Sequence, residues 1–432
     1  MPPANDETNA ATSDRLSPDM REKCANAACR SCDHRGLEPI LDLGLMPLSD
    51  GFLTEAQLGD REPRHPLEVA FCPACTLVQI LETVPPEVLF CEDYPYFSSF
   101  SAHLLEHSRA NALELIERQK LGADSLVVEL ASNDGYLLKN FVEHGVPVLG
   151  IDPADGPAKA AEKIGVHTLN DFFTIDLANR LAGEGTQADV IIGNNVLAHV
   201  ADTNGFVHGV STLLKDSGVA VFEFPYVRDL IDHNEFDTIY HEHLCYFSMH
   251  AVDALFRRHG LFVNDVRRLP IHGGSLRIYA NHHEAPAASV TDLLAEERRL
   301  GLADRSYYRA FADRVAHVHD RMTSLLSELR AAGKRIAAYG AAAKGTIMLN
   351  YIGCDADTIE FVVDRNVHKH GKWVPGSRIP ILAAEELQAR MPDYAVILPW
   401  NFKDEIMSQQ AGFVEKGGRF IVPIPEPHVV GD

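Results

Sequence analysis

The sequence of 432 residues contains no apolar run approaching the roughly 18 residues that a spanning helix needs, so no membrane role is expected. Residues 1–20 have neither the basic start nor the apolar stretch of a signal peptide. They are rich in Pro, Asn, Asp, Ser and Thr and read as a disordered leader ending near Lys23, with a cytoplasmic location by default. Basic residues are scarce: 39 Lys and Arg stand against 61 Asp and Glu, a formal charge of −22. So acidic a surface argues against non-specific nucleic-acid binding, which needs basic patches. It leaves room for an anionic small molecule, which needs only a local cluster of cations and helix N-termini. Eight cysteines in a chain of this length exclude a disulfide scaffold. No pyrophosphate-type G-x-G-x-x-G occurs, which disfavours a nicotinamide dinucleotide.

What is present is ordinary globular composition, 46% hydrophobic and 23% charged, in a chain too long for one compact core. Four zones follow the leader (1–23). Residues 24–90 hold cysteine pairs among short extended runs. Residues 91–284 alternate apolar strands, such as 125–130, 146–151, 190–192, 219–223 and 275–281, with helical stretches. Residues 285–333 carry apolar spacings of three and four and read as a helical connector. Residues 334–432 repeat the strand–helix rhythm, with strands at 335–340, 359–364, 394–398 and 419–422. The expected fold class is α/β, with two doubly wound units.

Cys29-Arg-Ser-Cys32 and Cys72-Pro-Ala-Cys75 each set two thiolates on a tight turn. Brought together they form a tetrahedral set suited to Zn²⁺, with every position filled by protein, hence structural. A redox C-x-x-C is the competing reading, and the presence of two pairs counts against it.

Ser125–Leu130 is followed by Ala-Ser-Asn-Asp-Gly-Tyr, a small-residue turn that lets backbone approach a ligand closely. Glu129, Ala131, Asn133 and Gly135 define it. About twenty residues on, Asp152 ends a second strand, where a carboxylate can accept from ribose hydroxyls. Asp171 and Phe172 follow the next strand, where an adenine could be met. Asn194 and Asn195 end the fourth. Together these point to a nucleoside sulfonium, S-adenosylmethionine, with S-adenosylhomocysteine as product. Ordinary turns of an α/β fold are the bland alternative.

Tyr240-His-Glu-His243 and Asn194–Val200 are dense in polar groups. On an extended segment alternate residues face one way, so Glu242 would orient a neighbour while His241 and His243 address a pocket. Metal binding by the two histidines is a second option, without a convincing third ligand. Carbon methylation needs a base beside a carbonyl and donors for the oxyanion; histidine and tyrosine suit these tasks. Oxygen methylation stays open on these residues alone.

In the C-terminal zone, Gly340 and Gly345 bracket a turn at a helix N-terminus with Lys344 inside, an anion site suited to a diphosphate. Asn366 and Lys369 follow the next strand, and Trp400 and Asn401 lie at another strand end.

These motifs, in this order, resemble the zinc-containing sugar C-methyltransferases, which methylate C3 of nucleotide-linked 4-keto-deoxysugars in deoxysugar and natural-product biosynthesis. The likeness runs from Cys29 to about Pro425. It includes the paired C-x-x-C, Glu129–Gly135, Tyr240–His243, His272-Gly-Gly-Ser-Leu-Arg277, Ala338–Gly345 and Val363–Gly371. It implies a zinc lobe, a class I methyltransferase domain and a C-terminal Rossmann-like domain gripping a nucleotide sugar, with thymidine favoured. It also implies His243 as base, with Tyr240, Glu242, His199 and Tyr94 beside it, and His272, Ser275 and Arg277 on the substrate side. A monomer or weak homo-oligomer is expected. The alternatives are the same scaffold methylating another acidic carbon or an oxygen, and a non-catalytic nucleotide-sugar-binding protein.

Overall fold

The computed structural model describes residues 16–89 and 97–430. The first helix, Pro18–Asn26, begins inside the stretch expected to be a leader. Ser17 caps it by accepting from the Met20 amide, Pro18 sits where a missing N–H costs nothing, and Asp19 faces the positive helix end. Met20 and Cys24 are buried beneath it. The stretch expected to be disordered up to Lys23 therefore includes helical residues from Pro18 onward, packed into the lobe.

The lobe is built on antiparallel strands β1 (Glu38–Met46), β2 (His65–Phe71) and β3 (Val78–Ile80). The central domain follows with β4 (Val127–Leu130), β5 (Val148–Ile151), β6 (Thr168–Leu169), β7 (Ala188–Asn194) and β8 (Leu214–Pro225). The next strand, β9 (Cys245–Tyr246), leaves that sheet and pairs with β3 as the fourth strand of the lobe. The chain then returns through β10 (Phe262–Leu269) and β11 (Ser275–Asn281). Numbered within itself, the central sheet runs 3-2-1-4-5-7-6, with the last strand antiparallel to both neighbours. This is the class I methyltransferase arrangement. Ligands of such sheets bind beyond the carboxyl ends of the first strands, where the order reverses.

Two helices, Ala288–Leu300 and Arg305–Ala331, lead onward. The longer one buries Tyr308, Phe311, Val315, Val318, Met322 and Leu326, one stripe that packs over β1. The C-terminal sheet comprises β12 (Ile336–Tyr339), β13 (Val362–Asp364), β14 (Ile381–Ala383), β15 (Tyr394–Ile397), β16 (Arg419–Val422) and an antiparallel edge strand β17 (His428–Val429). Its order is β14-β13-β12-β15-β16-β17. One apolar core is continuous from Leu16 in the lobe through both sheets to Ile424. A second lies beneath the helix Ala102–Gln119. Among the described residues no helix is long and apolar enough to cross a membrane.

Candidate active site and metal centre

The cysteine pairs sit on two matched knuckles. In each, the residue after the second cysteine takes a left-handed conformation, Asp33 at φ 58° and Thr76 at φ 64°. Its amide closes back on the first cysteine's carbonyl. The amides of Ser31 and Cys32 point at Cys29 Sγ, and those of Ala74 and Cys75 at Cys72 Sγ. All four sulfurs of Cys29, Cys32, Cys72 and Cys75 lie within 4.8 Å of one another. Across the knuckles, Cys29 and Cys75 lie 3.5 Å apart and Cys32 and Cys72 3.6 Å apart. A tetrahedral Zn²⁺ with sulfurs at about 2.3 Å sets them about 3.8 Å apart. The set of four fits zinc, with sulfurs of both knuckles in contact.

At the donor turn, Ala131 (φ 56°), Asn133 (φ 51°) and Gly135 (φ 75°) all lie in the left-handed region. These are alternate positions, the places where a glycine-rich loop would put its glycines. Asp152 holds the turn: its Oδ2 accepts from the Asn133 amide and its Oδ1 from the Ala154 amide, each at 2.8 Å. Each oxygen keeps a lone pair for a ribose hydroxyl. The Ser98 and Ser99 amides donate to the side chains of Asn133 and Asp134, closing the chain over the turn. Glu129 is buried, with no hydrogen-bond partner for either oxygen among the described residues. Burial, with Asp152 and Asp134 nearby, holds its carboxyl well above the usual range. An orphaned buried carboxyl beside two further acids suits a donor carrying a sulfonium and an ammonium. Asn194 and Asn195 end β7 at the same edge, Asn195 at φ 54° with its amide on the Glu223 carbonyl. Asp171 is exposed and Phe172 half-buried at the rim, while Phe173 turns inward against Phe206.

The Tyr240–His243 run is not extended. The His243 amide bonds back to the Tyr240 carbonyl, making a turn that breaks the two-residue alternation. His241 therefore points to the lobe, its Nε2 on the Pro66 carbonyl, and not to the pocket that His243 addresses. His243 Nδ1 lies 2.8 Å from the Thr238 carbonyl and its Nε2 lies 3.0 Å from the Tyr240 hydroxyl. A carbonyl only accepts, so Nδ1 carries the proton and Nε2 accepts from the tyrosine. The His199 ring meets His243 edge-on with centroids 4.8 Å apart, held by the Glu242 and Asn195 carbonyls. Burial holds His199 down to about 4; burial and the neighbouring His199 hold His243 well below the ordinary histidine value. Both rings are neutral at pH 7. Glu242 is buried beside Asp50; burial, then the Asp50 charge, pushes it up to about 8. Tyr94 lies outside the described residues.

The C-terminal turn meets this cluster. Gly340 has φ 90°, and a Cβ there would sit 2.5 Å from the Pro399 ring. Gly345 packs its helix against Leu398. Lys344 Nζ donates to Asn401 Oδ1 at 2.9 Å and lies 4.6 Å over the Trp400 ring. Burial holds this ammonium below its usual range, opposed by Asp237 and Glu235. Its field reaches both His243 and His272. Lys369 Nζ bonds the Ala341 carbonyl over the Phe52 ring, and Asn366 caps the following turn. A cavity of about 600 Å³, lined by His103, His272, Glu235, Trp400 and Asn401 among others, opens between the central and C-terminal domains.

Two expected substrate residues are engaged elsewhere. Arg277 is buried in β11 with its Nε 2.6 Å from Glu223 Oε1, because strand register sets the two opposite each other. Ser275 Oγ bonds the Ile271 carbonyl. Arg277 Nε and Nη2 and the Ser275 hydroxyl proton are thus engaged by protein partners.

Three family models match the chain: "Putative zinc binding domain" over 29–90, "Methyltransferase domain" over 102–265 and "C-methyltransferase C-terminal domain" over 270–425. C-methyltransferase NovU of Streptomyces niveus is 38% identical over 407 residues, 93% of this chain and 96% of that one. The chain belongs to the zinc-containing C-methyltransferase family. It is a methyltransferase dependent on S-adenosylmethionine, with zinc as its second cofactor. A ubiquinone biosynthesis O-methyltransferase of Bartonella tribocorum is 29% identical over 97 residues, 22% of this chain and 38% of that one. Magnesium protoporphyrin IX methyltransferase (ChlM) of Synechocystis PCC 6803 with bound SAM overlaps at a TM-score of 0.32 and 13% identity, over 41% of this chain and 78% of that one.

Within this C-methyltransferase, sequence reasoning missed Asp237, Thr238 and Asp364. Asp364 ends β13, and Asp152 directly follows β5, so the strand-end rule that selected Asp152 could have found it. Thr238 acts through its carbonyl, which no side-chain pattern reveals.

Proposed function

We propose that this C-methyltransferase transfers methyl to C3 of a thymidine diphosphate-linked 4-keto-deoxysugar through an enolate, within deoxysugar biosynthesis. The hydrogen-bonded pair at His243 is the observation that carries the reading. Its Nδ1 is fixed as donor to Thr238, so Nε2 has the lone pair to take a proton, and the depressed basicity keeps that nitrogen unprotonated at neutral pH. His243 Nε2 removes the C3 proton; the C–H electron pair moves into C3–C4 and the carbonyl pair onto the C4 oxygen. For this the Tyr240 hydroxyl must first turn from Nε2 to the C4 oxygen of the bound acceptor, which frees the lone pair and places a donor at the developing oxyanion. S-adenosylmethionine, when bound, supplies the electrophilic methyl that C3 accepts. His243 then returns its proton to solvent. The turn at Gly340–Gly345, with the helix Ala343–Tyr351 and Lys344, would hold the diphosphate. A ketone beside the target is what makes carbon, rather than oxygen, the nucleophile.

In D₂O, enzyme with thymidine diphosphate-4-keto-6-deoxyglucose is expected to exchange the C3 proton. His243→Asn should slow this by about 10²–10⁴-fold. Exchange at the wild-type rate in that variant would remove His243 as base.

A further inference from the structure

Between the C-terminal domain and the base runs a short buried chain of contacts. Trp400 Nε1 donates to Asp237 Oδ2 at 2.9 Å, reaching from the end of β15 into the central domain. Asp237 is wholly buried, and its Oδ1 has no hydrogen-bond partner among the described residues. The next residue, Thr238, accepts His243 Nδ1–H through its carbonyl and anchors its own hydroxyl on the Glu235 carbonyl at 2.7 Å. Asp237 and Thr238 share the single turn Phe236–Thr238, so the carboxylate and the carbonyl move together. On the far side, Trp400 lies beneath Lys344, and Lys344 bonds Asn401. The residues that face the acceptor are thus one hydrogen bond from the residue that orients the base.

We propose that Asp237 is a positioning residue that ties the acceptor-binding domain to the catalytic histidine. The Trp400–Asp237 bond fixes the turn whose Thr238 carbonyl sets the tautomer and direction of His243, so the acceptor domain and the base are held as one unit. The proposal rests on His243 being the base for its effect on rate, but not for its effect on structure. A buried, hydrogen-bonded carboxyl group at a domain junction is costly to desolvate, and the one donor aimed at it from the opposite domain offsets part of that cost only while the two domains are packed together. Positioning by such bonds matters because a displacement on the order of 1 Å at a reacting group can cost about 10²-fold in rate.

Two variants test it, each in two readouts. Trp400→Phe removes the N–H donor and keeps the ring over which Lys344 sits; Asp237→Ala removes the acceptor. With histidine-labelled ¹⁵N protein and no substrate, the His243 Nδ1–H signal, assigned by its loss in His243→Asn, should exchange with water at least about ten-fold faster in both variants. In turnover of thymidine diphosphate-4-keto-6-deoxyglucose, kcat should fall about ten-fold or more while KM and S-adenosylhomocysteine affinity stay within about two-fold. Because both changes break one bond, the double variant should be no slower than Asp237→Ala. An unchanged Nδ1–H signal in Trp400→Phe would overturn the proposal, whichever base the reaction uses. So would a rise in KM with kcat intact, which would make Trp400 a simple contact to the acceptor. Faster exchange with wild-type kcat would establish the link and instead remove His243 from the reaction.

Discussion

In the central unit, the Ala131 amide bonds the Ile151 carbonyl at 2.8 Å, and Asp152 then clamps the turn through the amides of Asn133 and Ala154. In the C-terminal unit, the Gly340 amide bonds the Val363 carbonyl at 2.7 Å. Asp364 clamps that turn through the amides of Ala341 and Asn366, each at 2.7 Å. The two turns share one design, and they differ in the charges around them. Around the first stand only acids, Glu129, Asp134 and Asp152; around the second, Lys344 and Lys369 stand at a helix N-terminus among Asp50, Glu235 and Asp237. Acids alone favour a sulfonium donor, whereas two ammonium groups at a helix N-terminus offer partners for the diphosphate of the proposed acceptor. The comparison teaches that a common backbone frame is made selective by the few buried charges placed against it.

The largest way to break the comparison is to remove the cation from the second turn. Lys344→Met deletes the ammonium and leaves Asp237 and Glu235 without their counter-charge. A loss of about 10²–10³-fold in kcat/KM for the nucleotide sugar is expected, as for one partner removed from a buried pair. S-adenosylhomocysteine affinity, measured by calorimetry, should stay within about three-fold. Equal loss of both ligands would show that the charges do not divide the labour as described.

The matched acids sharpen it next. Asp152→Asn should weaken S-adenosylhomocysteine by about 10–100-fold, the scale of one or two charge-assisted bonds. Thymidine diphosphate binding should be little changed. Asp364→Asn should do the reverse. Calorimetry with both ligands on both variants gives four numbers, and a crossed pattern is the expected result.

Some of this was legible before folding and some was not. The Cys29–Cys75 set, the donor turn and the strand-end acid Asp152 follow from local spacing, because each is made by residues close in sequence or by a repeated short motif. The entry of β9 into the lobe sheet was not legible: two residues, Cys245 and Tyr246, pair with Val78 and Gln79 through a contact that only tertiary packing decides. That pairing has a consequence for the site, since it anchors the lobe just after His243. The Arg277–Glu223 pair was not legible either, because a position in His272–Arg277 says nothing about strand register, and register is what sets the two opposite each other. The helix Pro18–Asn26 carried a start signal, Ser17-Pro18-Asp19, hidden in a segment whose overall composition is polar.

The buried groups of the central unit should also pull in opposite directions as pH changes. Buried histidines of the central unit, His199 and His243, stay neutral because burial depresses them, His199 to about 4 against an ordinary 6.5. The unfolded chain therefore takes up those protons first as pH falls. The stability that neutral His199 contributes is present above pH 6.5 and is lost as pH falls toward 4, on the order of 3 kcal/mol in full. Asp237 and Glu242, pushed up to about 7 and about 8 mainly by burial, work oppositely and lose their contribution as pH rises. Urea unfolding of wild type and His199→Gln at pH 6.5 and pH 5 isolates the histidine. Wild type should lose on the order of 2 kcal/mol more than the variant across that interval. Parallel curves would place His199 in solvent in the folded state.

The smallest expected effect lies at the first residue of the donor turn. Ala131 occupies the place that Gly340 fills in the second turn, and both have positive φ, 56° and 90°. At Gly340 a Cβ is shut out by Pro399; at Ala131 the methyl is tolerated but held in a conformation that costs an L-residue about 1–2 kcal/mol. Ala131→Gly relieves that strain and gives back about 0.5–1 kcal/mol through the greater freedom of glycine in the unfolded chain. The net should be a stabilisation of up to about 1 kcal/mol, read as a raised urea midpoint with an unchanged slope. Affinity for S-adenosylhomocysteine should not improve, because the methyl stiffens the turn in its bound form. A destabilisation beyond about 0.5 kcal/mol, larger than the scatter of a neutral surface change, would mean that Ala131 is not strained and that the two turns are alike only in their hydrogen bonds.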